Sequence, residues 1–300
     1  EINTSIGSIK SDLLLTDIED IDRAQYEGEA TFVNFDIGDF IDDQNFGKVS
    51  TTLTVDGEGF TLEHLNTLIK GNIQSLGINN YDYKNLNVYG LIRNKVFKGE
   101  LISSDENFML DFNGLIDMSS AMNEYDFKAS IKRADLNKIN LFKRDSISIF
   151  QGDLVMNIKG SSIDNAFGEI QFINTSYKNQ NDDFYFKDFK VISTFDEDKV
   201  RTIAINSPDV IDARIEGKFK FRELLSLTEN ALGSIYTNYK PIRVAKDQFF
   251  DFNIKIKNKL TEIFYPDIKI HQNATIRGRI EGNENDFNLI LKSPRAAKPV

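Results

Sequence analysis

The residues able to do chemistry are few. The chain has two histidines, His64 and His271, and no cysteine, which removes disulfides, thiolate nucleophiles and thiolate metal ligands. The histidines stand far apart, and neither has a ligand-type partner at helical or hairpin spacing, so no metal site is expected. Nucleophilic catalysis would then need Ser or Thr with His, and no G-x-S-x-G elbow occurs. The stretch "NFGKVS" has part of a phosphate-binding loop. Asp42 stands where the first glycine is required and Val49 separates Lys48 from the hydroxyl, so no phosphate cradle is expected.

Acidic pairs offer no better site. Asp42 with Asp43, and Asp182 with Asp183, are adjacent in sequence, and adjacent side chains on a strand point to opposite faces, whereas glycosidase carboxylates must converge. "DEDK" and "NENDF" are rich in acids but lack D-x-D-x-D-G calcium spacing. The expectation is a protein that is not an enzyme, with no catalytic residue, no metal and no cofactor.

Composition bounds the partners. The 300 residues carry 46 Asp or Glu against 36 Lys or Arg, a net charge of −10, which disfavours nucleic acid. Residues 1–60 hold 14 acidic and 3 basic residues, a net of −11, so nearly all of the imbalance is a solvated acidic start or a docking patch for a basic partner. Aromatic usage is 24 Phe, 10 Tyr and no Trp, and Phe brings no hydrogen-bonding handle to a wet surface. An AT-rich coding sequence would give the same bias. No apolar run approaches the roughly 18 residues of a spanning helix, and the chain starts at Glu1, so we expect a segment of a longer protein with any anchor outside it.

The elements are short and alternating. "FDFNIKIKNKL" at 250–260 sets Phe250, Phe252, Ile254 and Ile256 against Asp251, Asn253, Lys255 and Lys257. "KVSTTLTV" aligns Val49, Thr51, Leu53 and Val55, "ATIRGRIEG" aligns Ala274, Ile276, Gly278 and Ile280, and "FNLILKS" aligns Phe287, Leu289 and Leu291. "NVYGLI", "FKGELI" and "DFYFKDFKVIS" are further strands, with turns at "DGEG", "INNYD", "SSDEN" and "EGNEND". Helical spacing is brief: "TLEHLNTLIKG" capped by Thr61, with His64 on its polar side, then "RADLNKINLF" and "FRELLSLTENAL".

The reading is therefore all-β with a few short helices. No linker divides residues 1–300, which are read as one continuous module. Loose strand-then-helix repeats start near residues 26, 125 and 211, at "YEGEATFVNFDIGDF", "YDFKASIKRADLNKI" and "IEGKFKFRELLSL". An apolar strand face worth roughly 1.5–3 kcal/mol per large side chain must be covered. Two sheets packed together, a closed barrel, or one sheet curled into a trough would each cover it.

The order of segments from "GFTLEHLNTLIKG" through "GINNYDYKNLNVYG", "FKGELISSDENFMLDFNGLID" and "YDFKASIKRADLNKINL" resembles the TamB family of AsmA-like bacterial envelope proteins, in its Bacteroidetes form. The run "FDFNIKIKNKLTEIFYPDIKIHQNATIRGRIEGNENDFNLIL" resembles it too. The resemblance implies an elongated curled sheet, or β-taco, with an apolar concave face. It implies a periplasmic protein of a Gram-negative bacterium, anchored in the inner membrane outside this segment. Its partners would be phospholipid acyl chains and an outer-membrane barrel of the TamA type, and its work phospholipid transport and outer-membrane protein assembly. Joined to the alternation, this makes Leu53, Val55, Phe252, Ile254, Ile256, Ile276, Ile280, Leu289 and Leu291 the expected lining of a lipid groove. The alternatives are an ordinary closed β core at those positions, or a scaffold that pairs with unfolded strands without carrying lipid.

Overall fold

The structure is a computed structural model that describes residues 2–61, 63–236, 238–258, 271, 273–282 and 286–292. It is 62% strand, which makes the fold all-β, and its 17 strands form one antiparallel sheet that does not close. By contacts the chain divides into two compact units, residues 1–156 with 174–185, and residues 157–173 with 186–300.

The first unit contains β1 (Ile2–Thr4), β2 (Gly7–Thr16), β3 (Gln25–Asp36), the helix α1 (Ile37–Ile41) and β4 (Phe46–Glu58). It continues with β5 (Asn66–Ile78), β6 (Tyr81–Arg93), β7 (Val96–Ser104), β8 (Phe108–Asp117) and β9 (Asn123–Asp135). β10 (Ser148–Gly160), β11 (Phe167–Asn179) and β12 (Asp183–Phe195) have residues in both units. The second unit adds β13 (Arg201–Asn206), β14 (Ile211–Lys218), a 3-10 turn (Phe221–Glu223), the helix α2 (Leu224–Gly233), β15 (Phe249–Ile256), β16 (Thr275–Glu281) and β17 (Asp286–Lys292).

Turn chemistry fixes the register of the first unit. Asn79 and Asn80 both adopt positive φ, 51° and 60°, between the paired residues Ile78 and Tyr81. That is the two-residue hairpin whose twist matches the strands, and asparagine tolerates it. Asn94 and Lys95 repeat it at φ 40° and 62° between Arg93 and Val96. Register shifts interrupt β3 against β4 at Phe32–Phe35, β4 against β5 near Ser50, and β8 against β9 at Met109–Leu110. Such bulges bend a sheet and increase its twist.

Residues 61–71 form a helix only in the sequence reading. Of those described, Asn66 onward is β5, and Leu65, Ile69 and Ile73 pack together on one side of it. Leu68 falls on the opposite side and is 38% exposed; that one outward leucine produced the helical spacing. The stretch after β9 is likewise a chain of turns, with Ile139 wholly buried against Tyr83 and Leu86. "FRELLSLTENAL" does form the 3-10 turn and α2. The turn "EGNEND" falls partly outside the described residues.

Candidate functional site

Residues opposite one another on neighbouring strands share a face. Across the first unit one such row runs Ser11, Ala30, Leu53, Gly71, Val88, Leu101, Phe112, Ala129, and the next runs Leu13, Gly28, Val55, Ile69, Gly90, Gly99, Gly114, Phe127. The row on the other face reads Asp12, Glu29, Thr54, Lys70, Tyr89, Glu100, Asn113, Lys128. One face thus collects glycine and apolar residues, while the other holds most of the charges together with outward leucines such as Leu14, Leu68 and Leu91. Tyr26, Val55, Ile69 and Val88 are buried on the apolar face with Leu13, Leu53, Phe97 and Leu101 packed against them. Among the described residues the only helix of this unit is the five-residue α1, far too small to cover eight strands.

Glycines and phenylalanines divide the space on that face. A side chain at Gly99 would come within 2.4 Å of the Gly90 Cα, so the three opposed glycines leave a bare strip between strands. Phenylalanine rings flank it: Phe112 lies 6.1 Å from Phe97 and 5.0 Å from Phe127. Tyr26 donates its hydroxyl to the Gly59 carbonyl at 3.1 Å and also contacts the Thr67 hydroxyl, while burial pushes its pKa up. Tyr26 therefore stays neutral and closes the edge of the apolar cluster with a polar tip.

The second unit repeats the pattern. Ile203, Ile215, Phe252, Gly278 and Leu289 form one row, and Ile205, Ala213, Ile254, Ile276 and Leu291 the next. The outward row is Thr202, Glu216, Asp251, Arg279, Asn288. Its charges pair laterally: Arg279 Nη1 reaches Asp251 at 2.7 Å, Arg279 Nε reaches Glu281 at 2.6 Å, and Arg214 reaches Glu216 at 2.7 Å. A shallow recess of about 510 Å³ on this face is lined by Arg214, Glu216, Asp251, Arg277 and Arg279, so its charge is largely offset by the pairs Arg214–Glu216 and Arg279–Asp251.

The apolar face of this unit is closed at both ends and more open between. At one end Leu227 and Ala231 of α2 cover Phe250 and Ile280, with Ile215, Phe252 and Phe287 packed around them. At the other end Ile256 is 2% exposed beside the buried Val210 and Ala274, whose loops bond to residues 256 and 257. Ile254 and Ile276, in the middle, are half-buried, while Leu289 and Leu291 on β17 are 45% and 63% exposed.

All seven expected lining residues of this unit therefore lie on one face, and Leu53 and Val55 lie on the apolar face of the other. Val55, Ile256 and Ile280 are already covered by protein; Ile254, Ile276, Leu289 and Leu291 retain accessible surface. The sequence reading missed Tyr26, Ile69, Val88, Phe112 and Ile215. The alternation of "NVYGLI" and "FKGELI" pointed to the strands, and counting outward from Val88 or Leu101 by twos would have found their apolar faces.

Two buried charges tie loops to strands. Arg201, 4% exposed, donates from Nε to the Ser193 hydroxyl at 3.0 Å, and from its two terminal nitrogens to the carbonyls of Ile163 and Ala166 at 2.8 Å each. Burial lowers its pKa, yet carbonyl partners take up its donors. Asp145 accepts from Tyr177 at 2.6 Å and pairs with Arg144 at 2.8 Å, which, more than anything else, holds its carboxyl low.

One histidine among the described residues meets both a hydroxyl and a carboxylate. Thr61 Oγ1 lies 2.9 Å from His64 Nδ1 and Asp22 lies 3.1 Å from the same nitrogen. A catalytic relay needs the hydroxyl and the carboxylate on different ring nitrogens, so this surface cluster is a loop tie. Among the described residues no group of three metal-ligating side chains converges and no helix is long and apolar enough to cross a membrane. The arrangement suits apolar binding. No family model, no curated protein and no solved structure matches the chain.

Proposed function

We propose that the apolar sheet faces form a trough that shelters lipid acyl chains while headgroups stay in water. The observation that carries this is the pair of apolar cross-strand rows that run from β2 to β9 and from β13 to β17, opposite rows that hold most of the charges. Val88 and Ile69, 6% and 8% exposed, are packed among Leu13, Leu53, Phe97 and Leu101 on that face. Each acyl CH₂ removed from water contributes about 0.8 kcal/mol, so a chain of ordinary length gains on the order of 10 kcal/mol. In the second unit Ile254, Ile276, Leu289 and Leu291 are the accessible stretch where an acyl chain would lie.

The resemblance to TamB-like proteins supports the same reading. The segment would belong to an inner-membrane-anchored periplasmic bridge that passes phospholipid toward the outer membrane and works with a TamA-like barrel. Movement along the trough would be passive or driven elsewhere. A second reading, a scaffold that adds unfolded strands of outer-membrane proteins, draws on the unclosed sheet, since an open sheet has edges with unpaired backbone groups.

Photocrosslinking separates the two. A photoreactive residue in place of Ile276 or Leu289 is expected to capture phospholipid, whereas one in place of the outward Arg277 captures none. Capture of polypeptide but not lipid at Leu289 would overturn the trough in favour of strand pairing.

A further inference from the structure

The helix α2 presents leucines on two sides, the outward side also carrying the exposed Glu229 between Leu225 and Leu232. Leu224, Leu227 and Ala231 face the sheet and cover Phe250 and Ile280. Leu225 and Leu232, two helical turns apart on another stripe, are 62% and 41% exposed, with Phe221 before them at 40% and Ile235 and Tyr236 after them at 65% and 73%. A surface helix ordinarily carries one apolar stripe, and exposed apolar clusters of this kind mark an interaction surface. The following chain is strapped in place rather than free: the buried Asn230 donates to the Ile242 carbonyl at 2.7 Å and accepts from Tyr239 and from the Ile242 amide. Glu223 accepts from the Ala245 amide and from Gln248, each at 2.7 Å. The outward patch is thus a fixed surface.

Its charge runs against that of the chain. Residues 219–247 hold five Lys or Arg and three Asp or Glu, within a protein of net −10. Arg222, Lys240, Arg243 and Lys246 are exposed, and none pairs with a described carboxylate. Leucine, isoleucine and tyrosine beside unpaired cations is the composition that sits in the headgroup layer of an anionic membrane, where apolar side chains enter the acyl boundary and cations meet phosphate.

We propose that the outward stripe of α2 and the basic segment after it dock on an anionic phospholipid bilayer surface. This rests on the lipid-carrying reading for its purpose: the helix that would touch the bilayer is the one whose other side covers the apolar sheet face, so docking would place a membrane next to the end of the trough.

Co-sedimentation of the purified 300-residue chain tests it, with vesicles of phosphatidylethanolamine and phosphatidylglycerol against vesicles of phosphatidylcholine alone. The chain is expected to bind the anionic vesicles. A Leu225→Ser/Leu232→Ser double variant and an Arg222→Glu/Arg243→Glu double variant, both at exposed positions, should each weaken that binding about tenfold or more with unchanged circular dichroism. Absence of binding to the anionic vesicles, equal binding to both vesicle types, or variants that bind undiminished would overturn the proposal. So would an effect of the leucine variant confined to self-association in light scattering, which would assign the patch to a second copy. An Ile254→Asp variant run in parallel separates the two claims. If it still binds vesicles and wild type carries no lipid, only the trough fails; if lipid is carried but vesicles are not bound, only the docking fails.

Discussion

Glu223 and Arg201 show how single side chains fasten loops to the second unit. The Ala245 amide, foremost, and Gln248 hold the Glu223 carboxyl below its ordinary pKa. A carboxylate lowered by folding contributes its stability above the unfolded value and loses it as pH falls through the folded one. Protection of the Ala245 amide against hydrogen exchange, taken relative to its intrinsic rate at each pH, should therefore fall on acidification below the ordinary glutamate range. In a Glu223→Gln variant, protection should start lower and respond less; equal pH response in both would remove Glu223 from this role. Arg201 donates to the Ile163 carbonyl and shares the Ala166 carbonyl with the Ser193 hydroxyl. An Arg201→Leu change should cost about 1–3 kcal/mol in urea unfolding, because it removes three hydrogen bonds of a buried guanidinium that tie residues 163–166 to β13. A loss within about 0.5 kcal/mol, the size of an ordinary surface effect, would contradict that account.

At the scale of elements, turns and glycines set how the strands meet. Lys95 occupies the left-handed region at φ 62°, where a Cβ is unfavourable, so Lys95→Gly should stabilise the β6–β7 hairpin by up to about 1 kcal/mol. Gly99→Val should do the reverse, destabilising by about 2 kcal/mol or more, since its Cβ alone would meet the Gly90 Cα at 2.4 Å. Thermal unfolding of the two variants checks both, and shifts of the same sign would contradict the packing described.

The alternation in "FDFNIKIK" was enough to read β15 and its apolar side, because one-sided burial leaves a period of two in the sequence. The same signal misled at residues 61–71, where outward Leu68 imitates a helical stripe. It was silent on covers. That Leu227 lies over Phe250 and Ile280, or that Ile139 seals Tyr83 and Leu86, depends on contacts distant in sequence, and nothing local distinguishes a covered isoleucine from an open one. Hence Ile256 and Ile280 read the same as Ile254 in sequence, and only the structure separates the closed ends from the accessible middle.

For the whole molecule, the sorting of apolar and charged residues to opposite faces of an unclosed sheet has one large consequence. The account needs an apolar occupant along Ile254, Ile276, Leu289 and Leu291. The most direct measurement is mass spectrometry of lipid retained by the chain after gentle purification, compared among wild type, Ile254→Asp and the outward control Asn253→Asp. Wild type and Asn253→Asp should retain phospholipid and Ile254→Asp should lose it, all three keeping the same circular dichroism. Wild-type protein that carries no phospholipid, or an Ile254→Asp variant that retains as much as wild type, would contradict the trough.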